Sequence, residues 1–493
     1  MHLVALKGMR ESMNNTSTSV TTNFIWRFLE RSGAQAVSLI VSIVLARILS
    51  PSTYGIIAIV TVFTNVLQVF IDSVIGSTVI QKKNADDLDF STVFYFNFAV
   101  CLTLYIFMFI AAPFIAKFYN MPDLIPVVRV LSLTLVISGV KNVQQAYVSR
   151  NMLFKRFFFS TLGGTITAAV VGITMAYCGF GVWALITQQL VNASIDTLIL
   201  WVTVKWRPKL MFSFERLKGL FSYGWKLLVS GLLETVYTNM RQLIIGKMYS
   251  SSDLAYYNQG DKYTQVIVTN INTSIDSVLL PTMSRVQDDP SRVRAMTRRS
   301  IKVSTYIIAP MMLGIASIAT PLVKILLTEK WLPCVPYLII FCITYMFYPI
   351  HTANLNAIKA MGRSDLFLKL EILKKIIGLS LVFVTMWFGP LIMAASQLIS
   401  CITSQLINSW PNKKLLNYPY KEQLMDILPN IGSAAIMFCG VWGLRLVLPF
   451  NGIIGMGIQV VTGILIYLGT SILTKNDSLF YILDVLKQII KRR

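Results

Sequence analysis

Several charged side chains of this 493-residue chain lie inside long apolar runs, at spacings that suit holding an anion rather than breaking a bond. In the first run Arg27, Arg31, Gln35, Ser38 and Ser42 step by four, four, three and four, which aligns them on one helical stripe. Glu30 stands beside the two arginines and can neutralise one. In SGLLETVYTNMRQLIIG, Glu234 and Arg241 are seven apart, two turns along one helical face. Paired, they would be structural; unpaired, Arg241 would be an anion ligand at a depth where ionisable groups usually face the bundle interior. Lys141, in VISGVKNVQQAY, is a further intramembrane cation. Tyr345, Tyr348, His351, Thr352 and Asn354 crowd a later run, in which His351 is either a proton-coupling group or a hydrogen-bonding helix contact. Asp72 and Asp276 each stand in a copy of Ile-Asp-Ser-Val. Either acid could lock one state of the molecule through an ion pair, for instance with Arg27, Arg31 or Lys226. The plainer alternative for Arg27 and Arg31 is snorkelling to lipid phosphates. Arg47 and Lys247 read as helix-end anchors, with Ser50-Pro51 starting the next span.

The elements that carry these residues follow from composition. The chain is 55% hydrophobic and 13% charged, against about 25% charged in ordinary globular proteins. Runs of about 20 apolar residues, each able to cross hydrocarbon, recur throughout. Fourteen are expected, starting near Ile25, Ile56, Thr92, Leu124, Thr161, Gly181, Leu220, Thr264, Val303, Val335, Leu366, Leu391, Ile427 and Ile453. The fold expected is all-α and polytopic. A net charge of +22 raises nucleic acid as a partner. With the N-terminus inside, however, 34 of the 44 basic residues fall in or beside cytoplasmic segments, among them Lys82-Lys83, Arg150 and Lys413-Lys414. That is the positive-inside pattern, with both termini cytoplasmic and no need of nucleic acid. The six cysteines lie singly, without metal-ligand or disulfide spacing, so neither metal nor cofactor is expected. The polar stretch Glu11–Asn23 before the first span does not read as a cleaved signal.

Asp72 and Asp276 belong to an internal repeat. ARILSPSTYG (46–55) faces GKMYSSSDLAYY (246–257) at an offset of 200, and the Ile-Asp-Ser-Val copies follow at 204. RNMLF (150–154) faces RSDLF (363–367) at 213, and FGVWALITQQL (180–190) faces FGPLIMAASQL (388–398) at 208. Four collinear anchors at one approximate offset indicate duplication. Spans 1–6 and 7–12 are then parallel repeats, with spans 13 and 14 added. The expected divisions are a cytoplasmic segment 1–23, an N-lobe 24–210, a C-lobe 211–410, helices 13–14 over 411–474 and a basic cytoplasmic tail 475–493.

At VLARILSPSTYGIIAIV (44–60) and FIDSVIGSTVIQKK (70–83) the chain resembles the Wzx-type polysaccharide flippases of the multidrug/oligosaccharidyl-lipid/polysaccharide exporter superfamily. One departure is Ser73-Val74 after Asp72, where a glycine commonly follows that acid by two; Gly76 would have to serve the same packing. The resemblance implies a V-shaped fold and a bacterial inner-membrane location. It implies a substrate of oligosaccharide on undecaprenyl pyrophosphate, moved from the cytoplasmic to the periplasmic leaflet by alternating access through a cationic central cavity. Arg27, Arg31, Gln35, Lys141, Arg241, Tyr345 and Tyr348 would then bind substrate; Glu30, Asp72, Glu234, Asp276 and His351 would gate or couple. Membrane lipid and polysaccharide polymerase or export proteins would be partners. The rival within the superfamily is an ion-coupled multidrug antiporter, whose cationic substrates call for unpaired acids. An O-antigen polymerase or glycosyltransferase would call for a large external loop or an acidic catalytic pair. Asp253, Asp261 and Glu329 form no such pair, so no enzyme is expected.

Overall fold

The structure, a computed structural model, describes residues 26–27, 29–72, 85–447 and 452–491. Every regular element among them is helical, and the chain is a multi-pass α-helical membrane protein. Packing divides it into two compact units, Met1–Ser252 and Asp253–Arg493. The first holds α1 (Leu29–Ile48), α2 (Pro51–Ile71), α3 (Asp87–Tyr119), α4 (Leu124–Arg150), α5 (Phe154–Tyr177), α6 (Val182–Thr203) and α7 (Phe214–Met248). After them come α8 (Ser251–Ser284), α9 (Pro290–Ser317), the segment α10 (Glu329–Ala360), α11 (Ser364–Thr385), α12 (Pro390–Leu415), α13 (Tyr420–Val447), α14 (Gly452–Leu473) and α15 (Asp477–Lys491). The repeat puts span seven in the second half, whereas α7 packs on α2 and α3 of the first unit.

Eleven of these helices are long and apolar enough to cross a membrane, against fourteen expected spans. The other three, α7, α8 and α11, have the length, at 35, 34 and 22 residues. What they lack is a clean apolar window, since α7 carries Lys226, Glu234 and Arg241, α8 carries Asp261, Lys262 and Asp276, and α11 carries Lys369, Glu371, Lys374 and Lys375. Lys82-Lys83 and Gly76 lie outside the described residues, as do segment 1–23 and the last two residues of the basic tail.

Local chemistry sets the helix starts. Ser50 caps α2, its Oγ accepting from the Thr53 amide at 3.4 Å with Pro51 in the first turn, as Ser50-Pro51 predicts. Asp86 and Asp89 form a reciprocal capping box at the start of α3. Fully buried Asp89 also receives Arg216 Nη1 at 3.1 Å, and Trp206 Nε1 donates to Asp87 at 3.1 Å. The α6–α7 connection is thereby strapped to α3.

Two apolar segments are interrupted. In the first unit α4 breaks at Ser132, between Leu124–Leu131 and Leu133–Arg150. In the second, α10 runs as a 3-10 turn (Glu329–Cys334), a helix (Val335–Tyr345) and a restart (Tyr348–Ala360) whose first turn holds Pro349. Proline fixes φ and has no N–H to donate, so the restart costs no ladder bond. The freed carbonyls need donors in a membrane. Gln405 Nε2 of α12 donates to the Phe347 carbonyl at 3.3 Å, and Cys401 Sγ lies 3.5 Å from that of Thr344.

Close helix contacts position the polar groups. A Cβ at Gly260 of α8 would lie 2.7 Å from Tyr337 Cβ and 2.9 Å from the Leu338 nitrogen, so α8 lies directly on the α10 segment there. Gly260→Ala is therefore expected to destabilise by about 1–3 kcal/mol through overpacking. A lower thermal midpoint of the purified protein is the measurement; an unchanged midpoint would count against this packing.

Candidate functional site

Charge in hydrocarbon is tolerated when it is paired, so each candidate is characterised first by its partner. In the first unit, Arg27 donates through Nη1 to Glu30 Oε2 at 2.7 Å, and its guanidinium lies 5.0 Å from the Phe157 ring centre and 5.6 Å from that of Phe154. Buried Glu30 also accepts from Thr161 Oγ1 at 3.4 Å. Glu30 thus neutralises Arg27, not Arg31, and ties the start of α1 to α5. Arg31 is exposed and has no ion-pair partner among the described residues. On the same stripe Gln35 and Ser38 are exposed and Ser42 is buried.

Lys141 is not free. Its Nζ lies 3.3 Å from Oδ2 of Asp196 on α6. Asp196 is buried, its other carboxylate oxygen has no hydrogen-bond partner, and Gly164 of α5 admits this part of α6, a Cβ there standing 3.1 Å from the Asp196 nitrogen.

Arg241 differs from Lys141. Its Nε and Nη2 are buried and have no hydrogen-bond partner among the described residues, and it forms no ion pair with Glu234, which is exposed. A guanidinium always carries its charge and presents a fork matched to carboxylate and phosphate oxygens. Two unsatisfied donors on such a group are costly without an acceptor.

The two repeated acids are held alike. Asp72 Oδ1 accepts from Asn142 Nδ2 of α4 at 3.2 Å and from Gln68 at 3.0 Å. Asp276 Oδ1 accepts from Asn356 Nδ2 of α10 at 2.5 Å. Asn142 and Asn356 are 214 positions apart, as are the breaks at Ser132 and Met346. Both acids lie next to an amide one helical stretch beyond an interruption. Fully buried Ser132, at the first break, has an Oγ without a partner.

In the second unit the aromatic candidates do come together. Tyr345, buried, donates to Asp261 Oδ1 at 2.6 Å; its ring meets Tyr348 edge-on at 4.9 Å, and Tyr348 lies 6.0 Å from the His351 ring. His351 Nδ1 pairs with Asn408 Nδ2 at 2.7 Å, a neutral partner that holds the ring in place. Lys374 of α11 is buried beside Glu371. In this unit an apolar cavity of about 380 Å3 also opens between α9, α13 and α14, lined by Met311, Ile315, Met437, Val441, Ile464 and Leu468 among others.

Sequence reasoning passed over Asp196, Asn142 and Asn356, and weighed Asp261 only as a catalytic acid outside the spans. A signal existed for Asp196, a lone carboxylate within an apolar run in NASIDTLILW, and for Asn142, adjacent to Lys141. Asp261 belongs to α8, whose polarity disguises it as loop. Among the described residues no cluster of His, Cys, Asp or Glu is arranged to hold a metal.

Comparison with known proteins identifies what this arrangement resembles. Residues 44–336 match the family described as "Polysaccharide biosynthesis protein". The chain is 23% identical to the succinoglycan biosynthesis transport protein ExoT of Rhizobium meliloti (strain 1021) over 64% of its own length; the match spans 63% of that relative. It is 23% identical to the lipopolysaccharide biosynthesis protein WzxC of Escherichia coli (strain K12), over 78% of this chain and 79% of WzxC. In fold it is similar to the lipid II flippase MurJ in an inward closed conformation, with a TM-score of 0.75 at 15% identity, covering 92% of this chain and all of that one.

The Lys141–Asp196 pair makes a defined prediction. Asp196→Asn leaves a buried ammonium without its counter-charge and should destabilise by about 3–5 kcal/mol, whereas Lys141→Met with Asp196→Asn should recover most of the loss. Thermal midpoints and membrane levels of the single and double variants decide it. A double variant as damaged as the single one would contradict the pairing.

Proposed function

The chain belongs to the polysaccharide biosynthesis protein family, and from that premise we propose that it is a lipid-linked oligosaccharide flippase. Its cargo is an undecaprenyl-pyrophosphate-linked repeat unit, carried from the cytoplasmic to the periplasmic leaflet by alternating access for lipopolysaccharide or exopolysaccharide assembly. Family and fold support a transporter rather than an enzyme. The names of ExoT and WzxC support a polysaccharide-pathway cargo, and an inner-membrane site with both termini cytoplasmic agrees with the charge distribution.

Arg241 is the observation that supports this reading most. A pyrophosphate bridging group is multiply anionic, and moving such charge through hydrocarbon unaided costs several to tens of kcal/mol. A half-buried guanidinium with two nitrogens lacking acceptors among the described residues can receive that charge. Arg31, exposed along α1 with Gln35 and Ser38 on its stripe, provides a second cation for the same task. Paired Arg27 and Lys141 act in support, holding α1 to α5 and α4 to α6. Half-buried Tyr348, with buried Tyr345 packed against its ring, supplies phenol chemistry that suits sugar hydroxyls, while the apolar cavity between α9, α13 and α14 suits a hydrocarbon chain. His351, bonded to an amide, serves to position Tyr348. Cations unmatched by acids favour an anionic cargo over the cationic drugs of the antiporter alternative.

In a strain lacking the gene and any redundant flippase, lipid-linked repeat units should accumulate on the cytoplasmic leaflet; units that still reach the periplasm would refute the proposal. Arg241→Ala and Arg31→Ala should each lower export about tenfold or more at unchanged membrane level, since a charge-assisted hydrogen bond is worth about 1.5–3 kcal/mol. Normal export in both variants would refute the cationic binding role.

A further inference from the structure

α15 follows α14 after three residues, so its first turn lies where the chain leaves the apolar layer. It presents three faces. Ser478, Tyr481, Ile482 and Val485 turn towards the protein and are buried or half-buried. Phe480, Leu483, Leu486 and Ile490 step by three, three and four along a second face, and remain 40% to 73% exposed. Asp484, Lys487, Gln488 and Lys491 form a polar edge. A helix of this pattern lies in the membrane–water boundary with its apolar face in the acyl chains.

The start of α9 runs beside it. Five bases, Arg292, Arg294, Arg298, Arg299 and Lys302, fall in its first half, before its apolar stretch begins at Val303. Between the two helices is a cavity of about 300 Å3 lined by Arg298, Arg299, Lys302, Asp477, Ser478 and Tyr481. Arg298 is held by Asp426 at 2.7 Å, and Lys302 by Asp477 at 2.8 Å. Arg299 has no carboxylate partner among the described residues; its guanidinium lies over the Tyr481 ring at 4.3 Å. Of the three cations in the lining two are held by carboxylates, and Arg299 is left over beside an exposed apolar face, where the chain leaves the apolar layer.

We propose that this cavity binds the headgroup of an anionic phospholipid, with Arg299 as the principal phosphate ligand and the acyl chains lying along Phe480, Leu483 and Ile490. The site is separate from the transported cargo and does not depend on the flippase reading. Lipid bound there fastens α15 to α9 and to the membrane surface, because juxtamembrane bases gain most beside anionic lipid.

The test is thermal unfolding of the purified full-length protein in nonionic detergent, titrated with phosphatidylglycerol, phosphatidylcholine or inorganic phosphate. Phosphatidylglycerol should raise the midpoint saturably and less so at high salt, while the other two give less than half that rise. Arg299→Gln should remove at least half of the phosphatidylglycerol increment and leave the lipid-free midpoint unchanged, since no ion pair is lost. An equal rise with phosphatidylcholine, an equal rise with phosphate alone, or a full increment in Arg299→Gln overturns the proposal. Should Arg299→Gln itself lower the lipid-free midpoint, Ile490→Ser, on the exposed face, takes its place: a weaker response to phosphatidylglycerol supports the site and an unaltered one overturns it.

Discussion

The cost of leaving a charge unpaired away from water is the constraint on which the rest of this structure depends. It accounts for where the acids and bases of the apolar runs are found. Arg27 is closed by Glu30, Lys141 by Asp196, Lys374 by Glu371 and Asp89 by Arg216, and each pair joins two turns or two helices. Asp72 and Asp276 each take an amide from the fourth segment of their half. The same requirement extends to the backbone, where α12 side chains serve the carbonyls freed by the break in α10. Arg241 stands apart, with Nε and Nη2 buried and unsatisfied.

Much of the fold was legible because hydrocarbon imposes a length and a composition on each span. The cap at Ser50-Pro51 and the one-sided arginines of α1 could also be read directly. The rest was not, for identifiable reasons. α7, α8 and α11 were expected as spans, but they carry charges along the helix, and length and composition mark only the other eleven as able to cross a membrane. Pairing is less legible still, since Lys141 and Asp196 are 55 residues apart and nothing local marks them as partners. The Glu234–Arg241 spacing left a pair and an unpaired arginine both open, because a shared face places two side chains near each other without deciding whether they meet. The aromatic group of α10 was visible as a cluster, while its anchor Asp261 was not, because the contact is set by the glycine that lets α8 lie on that segment.

Duplication and interruption are connected in this chain. Ser132 and Met346 interrupt equivalent apolar segments, and the amides that hold the two repeated acids follow at equivalent distances. Interrupted helices in matching positions of two halves are a feature of transporters whose substrate is handled at the repeat interface. Here the interruptions also gather the polar side chains, since Lys141 lies beyond the first and Tyr348 and His351 just beyond the second. Paired charges make such segments rigid, and a cation left unpaired is a place where an anion is needed.

Arg241, whose Nε and Nη2 have no partner among the described residues, is proposed to take an anionic group of the cargo. That role is tested most directly by the affinity of the purified protein for undecaprenyl pyrophosphate, compared with that of Arg241→Ala at matched thermal stability. Binding weaker by about tenfold is expected, for the loss of one charge-assisted contact of about 1.4 kcal/mol or more, with the thermal midpoint unchanged or raised. Unaltered affinity, or a variant that loses its fold along with its binding, would contradict it.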